Sequence, residues 1–295
     1  MQCVMTNWNG CQADFLEDGV SGNDVELRIW GARGSLPCPG PSTVRYGGNT
    51  SCVEVRMGGH LVILDGGSGI RGLSAKMRHE APIEADVLLS HYHLDHIMGL
   101  PFFSAAFKRE NTLRFRGARL ETKITLRQIL AKMMSPPLFP VPIEVYQATT
   151  SFDEFDPGDA FELPGGIQVE TRGLNHPGGA CGYRLSFGGV VIAYVTDTEH
   201  VPGEDSESAL ALMQGADAVI YDATYTDSEF EDYRGWGHST WREANRLAEL
   251  AGAETMILFH HDPTHDDAVM DRIAVEAAED RAKTIVAREG LTLTW

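Results

Sequence analysis

The feature that most constrains this chain is a dense group of metal-binding side chains in one short stretch. His91, His93, Asp95 and His96 lie within six residues, directly after an apolar run that predicts a buried strand. On an extended backbone, His91 and His93 can point toward the same position. Asp95 and His96 come where the chain begins to curl, so they can reach a second position close by. The spacing therefore predicts a site for two metal ions.

Composition and charge narrow the classes of function. The chain has 295 residues, of which 43% are hydrophobic and 22% charged, as is usual for a globular protein. Its 42 acidic and 24 basic residues give a formal net charge of −18, which repels nucleic acid at long range. We therefore expect a small anionic substrate and no large nucleic acid as a partner, because bound metal ions would supply the local positive charge.

The sequence also bears on the cellular location. None of the five cysteines forms a CxxC pair, which argues against a disulfide framework and a zinc ribbon. The chain contains no apolar run long enough to predict a membrane-spanning helix, and its first 25 residues lack the pattern of a secretory signal. We expect a cytoplasmic protein with no membrane partner, and we leave a homodimer open.

The order of predicted elements indicates the fold. Residues 1–24 are polar and aperiodic, which predicts a flexible N-terminal extension outside a catalytic domain at 25–295. That domain contains two similar strand-rich halves with helices outside them, and no break in composition separates the halves. This pattern predicts an α/β (α+β) domain built as a four-layer αββα sandwich. Among the individual elements, we expect a helix at 121–134 and a strand at 143–146.

Two further candidate ligands follow predicted strands in the second half. His176 lies in a loop between two strands, and it is the natural third ligand for the ion held by His91 and His93. Asp197 comes at the end of an apolar strand, where its two carboxylate oxygens can bridge both ions. The alternative interpretation of Asp197 is an N-cap for the following turn.

The second ion needs one more ligand beside Asp95 and His96. A predicted strand at 255–259 is followed directly by His260, which is our choice for this ligand. The alternatives come just after it and are His261, Asp262 and His265.

Other residues are candidates for catalysis and substrate contact. Asp222 ends another strand and His238 opens a helix, so a hydrogen bond between them would fix the tautomer of His238 and raise its pKa. The other ring nitrogen of His238 could then donate a proton to a leaving group. Direct metal ligation is the rival role for Asp222. Weaker candidates, for substrate contact, are Arg33 and Asn49 in two Gly-rich loops.

Together these elements resemble the metallo-β-lactamase-fold hydrolases. The stretch 91–96 has the HxHxDH pattern of that superfamily, and its remaining ligands match His176, Asp197 and His260 in order. The stretches 221–225 and 237–240 are similar to motifs of the ribonuclease Z and phosphodiesterase branch. In that branch a histidine matching His238 assists phosphodiester cleavage and is paired with an acidic residue.

The resemblance also bears on the size of the substrate. Asp197 follows His176 by only 21 positions. Ribonuclease Z usually carries a long flexible arm for tRNA between these motifs, and here there is no room for one. The spacing is therefore more similar to that of the small cyclic-phosphodiester hydrolases of the branch.

The sequence thus predicts a hydrolase that holds two divalent metal ions. One ion would be bound by His91, His93 and His176 and the other by Asp95, His96 and His260, with Asp197 between them. Zinc suits these ligands, and manganese and iron(II) are alternatives. We expect cleavage of a small or cyclic phosphodiester through a metal-bridging hydroxide, with Asp95 serving both as ligand and in catalysis.

Two other functions are weighed against this one. A thioester or lactone hydrolase of the glyoxalase II or acyl-lactonase kind would use the same ions, but it would not need the pair of Asp222 and His238. A non-catalytic, metal-binding regulatory protein is the third interpretation, and the complete ligand set argues against it.

Overall fold

A computed structural model describes residues 25–80 and 82–295 of the chain. The predicted extension at 1–24 lies outside the described residues, and the domain boundary at residue 25 stays a prediction. Within the described part, the helices are all too short or too polar to cross a bilayer.

The described residues form two seven-stranded sheets. In chain order the strands are β1 Val25–Gly31, β2 Cys52–Met57, β3 His60–Leu64, β4 Glu84–Leu89, β5 Thr112–Ala118, β6 Thr149–Phe155, β7 Ala160–Leu163, β8 Ile167–Leu174, β9 Ala180–Phe187, β10 Val190–Val195, β11 Ala218–Asp222, β12 Thr255–Phe259, β13 Thr284–Val286 and β14 Thr292–Thr294. The first sheet has the order β14-β1-β2-β3-β4-β5-β6, and the second has the order β13-β12-β11-β10-β9-β8-β7.

Helices cover the outer faces of both sheets. They are α1 Ile70–Lys76, α2 Leu94–Ile97, α3 Leu126–Met133, α4 Glu207–Met213, α5 Asp227–Phe230, α6 Trp241–Ala251 and α7 Asp267–Asp280. Three apolar clusters hold the layers together. One lies between the two sheets, one packs α4, α6 and α7 on the second sheet, and one packs α1 and α3 on the first. The predicted four-layer αββα sandwich is therefore confirmed.

Strand direction explains where polar side chains collect. In the first sheet β3 and β4 are parallel, and in the second sheet β10, β11 and β12 are parallel. Parallel neighbours end at the same edge of a sheet, and side chains that follow such strands meet there. Predicted site residues follow β4, β10 and β12, and Asp222 ends β11, so the topology gathers them at one edge of the sandwich.

Two predicted elements differ from the structure. The helix expected at 121–134 begins only at Leu126, because the Thr125 side chain accepts a hydrogen bond from Gln128 N and caps it. The strand expected at 143–146 is a short 3₁₀ turn. The strand in this region is β6, which pairs with β5. Because β6 is a largely polar edge strand, its sequence carries little apolar alternation.

Candidate metal centre

Three side chains from different elements form the first candidate ligand group. Asp95 and His96 lie in α2, and His260 directly follows β12. The Asp95 Oδ2 atom lies 3.2 Å from His96 Nε2 and 3.2 Å from His260 Nε2, and the two nitrogens are 3.3 Å apart. Ligand atoms about 2.0 Å from one tetrahedral ion lie about 3.3 Å from each other. This triangle therefore has the dimensions of three ligands on one ion.

Hydrogen bonds on the far side of each ring support the same interpretation. His96 Nδ1 donates to Asp65 Oδ2 at 2.7 Å, and His260 Nδ1 lies 3.0 Å from Thr224 Oγ1. With both Nδ1 atoms bonded in this way, each Nε2 of a neutral ring presents a lone pair. Two lone pairs and a carboxylate oxygen would then face one another in a buried space. A cation between them removes that repulsion, so these residues fit a metal ion.

His91, His93 and His176 form a second candidate ligand group. His93 Nδ1 lies 3.1 Å from His176 Nε2, while His176 Nδ1 donates to the backbone oxygen of Gly237 at 2.8 Å. The buried Nε2 atom of His91 has no hydrogen-bond partner among the described residues. A buried polar atom without a partner is costly, and a metal ion beside these three rings would satisfy it.

Asp197 lies between the two groups and is only 1% exposed. Its Oδ2 atom is 3.3 Å from His96 Nε2. Its Oδ1 atom is 3.3 Å from His260 Nε2 and 3.8 Å from His91 Nε2. The carboxylate therefore contacts the group of Asp95, His96 and His260 directly and approaches the group of His91, His93 and His176, as a bridging ligand must.

The environment favours the metal-binding protonation states of His91 and Asp197. Burial and the neighbouring imidazole of His96 lower the pKa of His91 well below its ordinary value, so this ring is neutral. Burial alone would raise the pKa of Asp197, but the adjacent His260 and His96 hold it well below its usual range. A neutral imidazole and an ionised carboxylate are the forms that ligate a cation. At His96, burial lowers the pKa but the carboxylates of Asp197, Asp95 and Asp65 raise it well above its ordinary value, so a metal ion there would displace a proton.

Three residues at the ends of strands adopt the left-handed backbone conformation. The φ angles are 60° at Asp65, 55° at Asp197 and 62° at His260. For residues other than glycine this conformation costs about 1–2 kcal/mol each. Each of the three directs its side chain into the cluster, so the strain lies where the chain leaves a strand to form the site.

His238 lies beside the ligand cluster, with Asp222 behind it. His238 Nδ1 donates to Asp222 Oδ2 at 2.8 Å and lies 3.9 Å from Asp197 Oδ1. Burial opposes a charge on the ring, but Asp222 outweighs burial and raises the pKa of His238 to about 9. The Asp222 carboxylate also accepts hydrogen bonds from Thr224 and from backbone amides. These contacts favour a role for Asp222 in orienting His238 over direct ligation of a metal ion by Asp222.

The structure adds supporting residues that the sequence reasoning missed. The Thr224 hydroxyl lies 2.8 Å from Asp222 Oδ1 and 3.0 Å from His260 Nδ1. It therefore connects the hydrogen-bonded pair of Asp222 and His238 with the candidate ligand His260. Ser35 N donates to Asp95 Oδ2 at 2.7 Å. The signal for Thr224 was its place in a strand-end motif, whereas nothing in the sequence pointed to the backbone of Ser35.

Glu199 is a further missed residue, and it orders the loop before His238. Its carboxylate accepts hydrogen bonds from Gly235 N and Gly237 N at 2.8 Å each. Gly237 has a φ of 88°, and a Cβ on it would lie 2.1 Å from His176 Nδ1, so only glycine fits there. Glu199 thereby fixes the carbonyl that orients His176.

We expect Glu199→Ala to weaken metal binding without unfolding the protein. The loss of the two amide contacts frees the Gly237 carbonyl, and the loss of such supporting contacts costs about 10–100-fold in metal affinity. Competition with a chelator measures the affinity, and Glu204→Ala is the matched control because Glu204 is an exposed carboxylate nearby in sequence. An unchanged affinity in Glu199→Ala would contradict this role.

The other candidates lie outside the ligand groups. His261 Nε2 donates to Ala287 O at 2.8 Å, and His265 Nε2 donates to Glu229 Oε1 at 2.9 Å. Asp262 is likewise absent from the groups of neighbouring ligand atoms in the described residues. The geometry therefore favours His260 as the second-ion ligand.

Arg33 and Asn49 make contacts with protein atoms rather than with the cluster. The Arg33 side chain is fully buried and donates to the backbone oxygens of residues 47, 262 and 265. The Asn49 amide donates to Glu289 Oε1 and accepts from Ser68 Oγ. These contacts favour structural roles in the loops that flank the site.

Comparison with known proteins places this geometry in a family. A family model described as "Beta-lactamase superfamily domain" matches residues 60–261. The ribonuclease Z of Haloarcula marismortui is 25% identical over 297 residues, covering 85% of this chain and 92% of that protein.

Solved structures share the fold. The metallo-β-lactamase fold protein YhfI from Bacillus subtilis superposes with a TM-score of 0.70 at 20% identity, covering 92% of this chain and all of that one. Human tRNase Z, short form, gives a TM-score of 0.66 at 17% identity, covering 91% and 98%.

The relatives overturn one expectation. We expected no large nucleic acid as a partner, but the relative from Haloarcula marismortui is named a ribonuclease. That expectation was wrong because it rested on the overall charge of −18. The field at a site is set by the charges nearest to it, and bound cations dominate there.

Proposed function

This chain belongs to the metallo-β-lactamase-fold superfamily and is a metal-dependent hydrolase of its ribonuclease Z-like branch, and on that basis we propose that it hydrolyses phosphodiester bonds at two divalent metal ions. The observation that carries the proposal is the hydrogen-bonded pair of Asp222 and His238 beside Asp197. A hydrolase acting only on activated carbonyl groups has no need of a proton donor at that position.

The residues of the two candidate groups would hold the ions. His91, His93 and His176 would bind one of them, and Asp95, His96 and His260 would bind the other. Asp197 contacts His96 and His260, approaches His91, and would bridge the two ions. When bound, such ions act as Lewis acids that activate water and stabilise charge on a phosphoryl group. Zinc is our choice because most of the ligand atoms are imidazole nitrogens.

His238 would protonate the departing oxygen. Its Nδ1–H is held by Asp222, so Nε2 is the atom free to carry a transferable proton. Asp222 stays ionised and stabilises the charged ring. The Thr224 hydroxyl and the amides of residues 198 and 239 fix the Asp222 carboxylate, which keeps the pair in one orientation.

Two kinds of phosphodiester fit this site. The segment from His176 to Asp197 holds only β9 and β10, and this short spacing favours a small or cyclic phosphodiester, whereas the ribonuclease Z relatives favour an RNA substrate. Both contain the same bond and need the same proton transfer. The cytoplasmic location and the homodimer stay predictions.

A panel assay of the zinc-loaded protein tests the proposal. The substrates are bis-p-nitrophenyl phosphate, a cyclic nucleotide, an RNA with a 3′ extension, a thioester and a lactone. We expect turnover of at least one phosphodiester and little or none of the thioester and lactone. Turnover confined to the thioester or the lactone would establish the rival carbonyl chemistry instead.

A further inference from the structure

Three aromatic rings connect the buried site with the surface. Tyr225 is buried, and its ring centre lies 5.9 Å from that of His238. The Tyr233 ring stacks on Tyr225 with centres 4.9 Å apart and planes 11° apart. Trp236 contacts Tyr233 edge to face at 5.2 Å. The outer two rings are 37% and 62% exposed, respectively.

The outer rings are held in place. Trp236 lies between Gly235 and Gly237, whose amides are bonded to Glu199, and Trp236 N donates to Tyr233 O at 3.1 Å. The Tyr233 ring is held by its stacking contact with the Tyr225 ring. Tyr233 and Trp236 thus form an exposed aromatic patch whose backbone is held in place and which is linked to His238 through the Tyr225 ring, and such a patch beside a site indicates a binding surface.

The charge of this segment points to recognition of a base rather than of extra phosphate groups. Glu231 and Asp232 are exposed beside Tyr233, and Arg234 is already paired with Glu231 at 2.6 Å. A second phosphate would therefore be repelled here. A planar, uncharged ring can stack on an aromatic side chain without meeting this repulsion.

We propose that Tyr233 and Trp236 form a stacking surface for a nucleobase attached to the scissile phosphodiester, so that the protein prefers nucleotidyl substrates. This inference rests on the proposed function, because it places the phosphorus at the metal centre beside His238. Two contacts connect the exposed rings with that site. Trp236 directly precedes Gly237, whose carbonyl oxygen accepts a hydrogen bond from His176, and Tyr225 contacts the rings of both Tyr233 and His238.

Two substrates that differ only in the nucleoside test the inference. Thymidine 5′-(p-nitrophenyl phosphate) and methyl p-nitrophenyl phosphate share the reacting bond and the leaving group. For the zinc-loaded protein, we expect Trp236→Ala to lower the ratio of their kcat/KM values about tenfold, within the range of base–aromatic stacking. Trp236→Phe retains a ring and should retain most of the ratio, and Tyr233→Ala should lower it.

A binding measurement separates this inference from the proposed function. Thymidine 5′-monophosphate and methyl phosphate are titrated into the zinc-loaded wild type and Trp236→Ala, whether or not either substrate is turned over. We expect only thymidine 5′-monophosphate to bind about tenfold more weakly to the variant. If the wild type hydrolyses neither substrate but shows this difference, the proposed function fails and the stacking surface stands.

Two results would overturn the stacking surface. One is a change of less than about twofold in both the kcat/KM ratio and the nucleotide affinity for Trp236→Ala and Tyr233→Ala. The other is an unchanged ratio together with a smaller oligomer in size-exclusion chromatography, which would show that Trp236 contacts a second copy of the chain.

Discussion

Asp197→Ala should abolish phosphodiester hydrolysis and lower the zinc content from two equivalents to one or none. The carboxylate lies 3.3 Å from both His96 Nε2 and His260 Nε2, and it approaches His91 as well. Its removal takes away the negatively charged ligand that the two ions would share. The positive charge of the ions is then poorly compensated. We expect kcat/KM to fall at least about a thousandfold, since metal ions supply several kcal/mol of transition-state stabilisation.

Elemental analysis of the purified variant, with assay of bis-p-nitrophenyl phosphate, measures both effects. The matched control is Asp217→Ala, because Asp217 accepts a hydrogen bond from Val191 N at the start of β10, whereas Asp197 follows the other end of that strand. Two retained zinc equivalents with undiminished turnover in Asp197→Ala would refute the bridging assignment.

His238→Ala should lower kcat by about 10²–10⁴ while the zinc content stays the same. The ring lies outside the two groups that we assign to the ions. His238 also clusters with ligand atoms of Asp197, Asp222 and His260, but its Nδ1 atom is taken up by the hydrogen bond to Asp222. The loss should depend on the leaving group. A dinucleoside phosphate releases an alkoxide that needs a proton, whereas bis-p-nitrophenyl phosphate releases a stable anion that does not.

Comparison of the two substrates in wild type and variant isolates the proton transfer. We expect the larger loss for the dinucleoside phosphate. His200→Ala is the matched control, because His200 contacts the same helix start through Ser239 Oγ at 2.8 Å but has no contact with the ligands. Equal losses for both substrates would show that His238 acts in some way other than as an acid.

Much of the candidate site could be predicted from the sequence because its residues follow strands. His91, His93, Asp95 and His96 are close in sequence, so their proximity in space needed no knowledge of the fold. Asp197 and His260 follow strands that are parallel to β11, and parallel strands bring their ends together. The strand at 255–259 has the predicted bounds.

The rest depends on contacts between loops that are distant in sequence. Glu199 bonds to amides 36 and 38 positions away, and no pattern in a single sequence specifies such a contact. The left-handed backbone at Asp65 and Asp197 is imposed by the surrounding structure against the local preference of these residues. The polar edge strand β6 was missed for a related reason, because only its partner β5 determines that it is a strand.

The most direct test of the central proposal is a zinc titration of the metal-free protein followed by the rate of bis-p-nitrophenyl phosphate hydrolysis. Two ions that act together predict a rate that is low at one equivalent and reaches its full value at two equivalents per chain. A full rate at one equivalent, or no hydrolysis of this phosphodiester at any zinc concentration, would contradict the proposed two-metal phosphodiesterase.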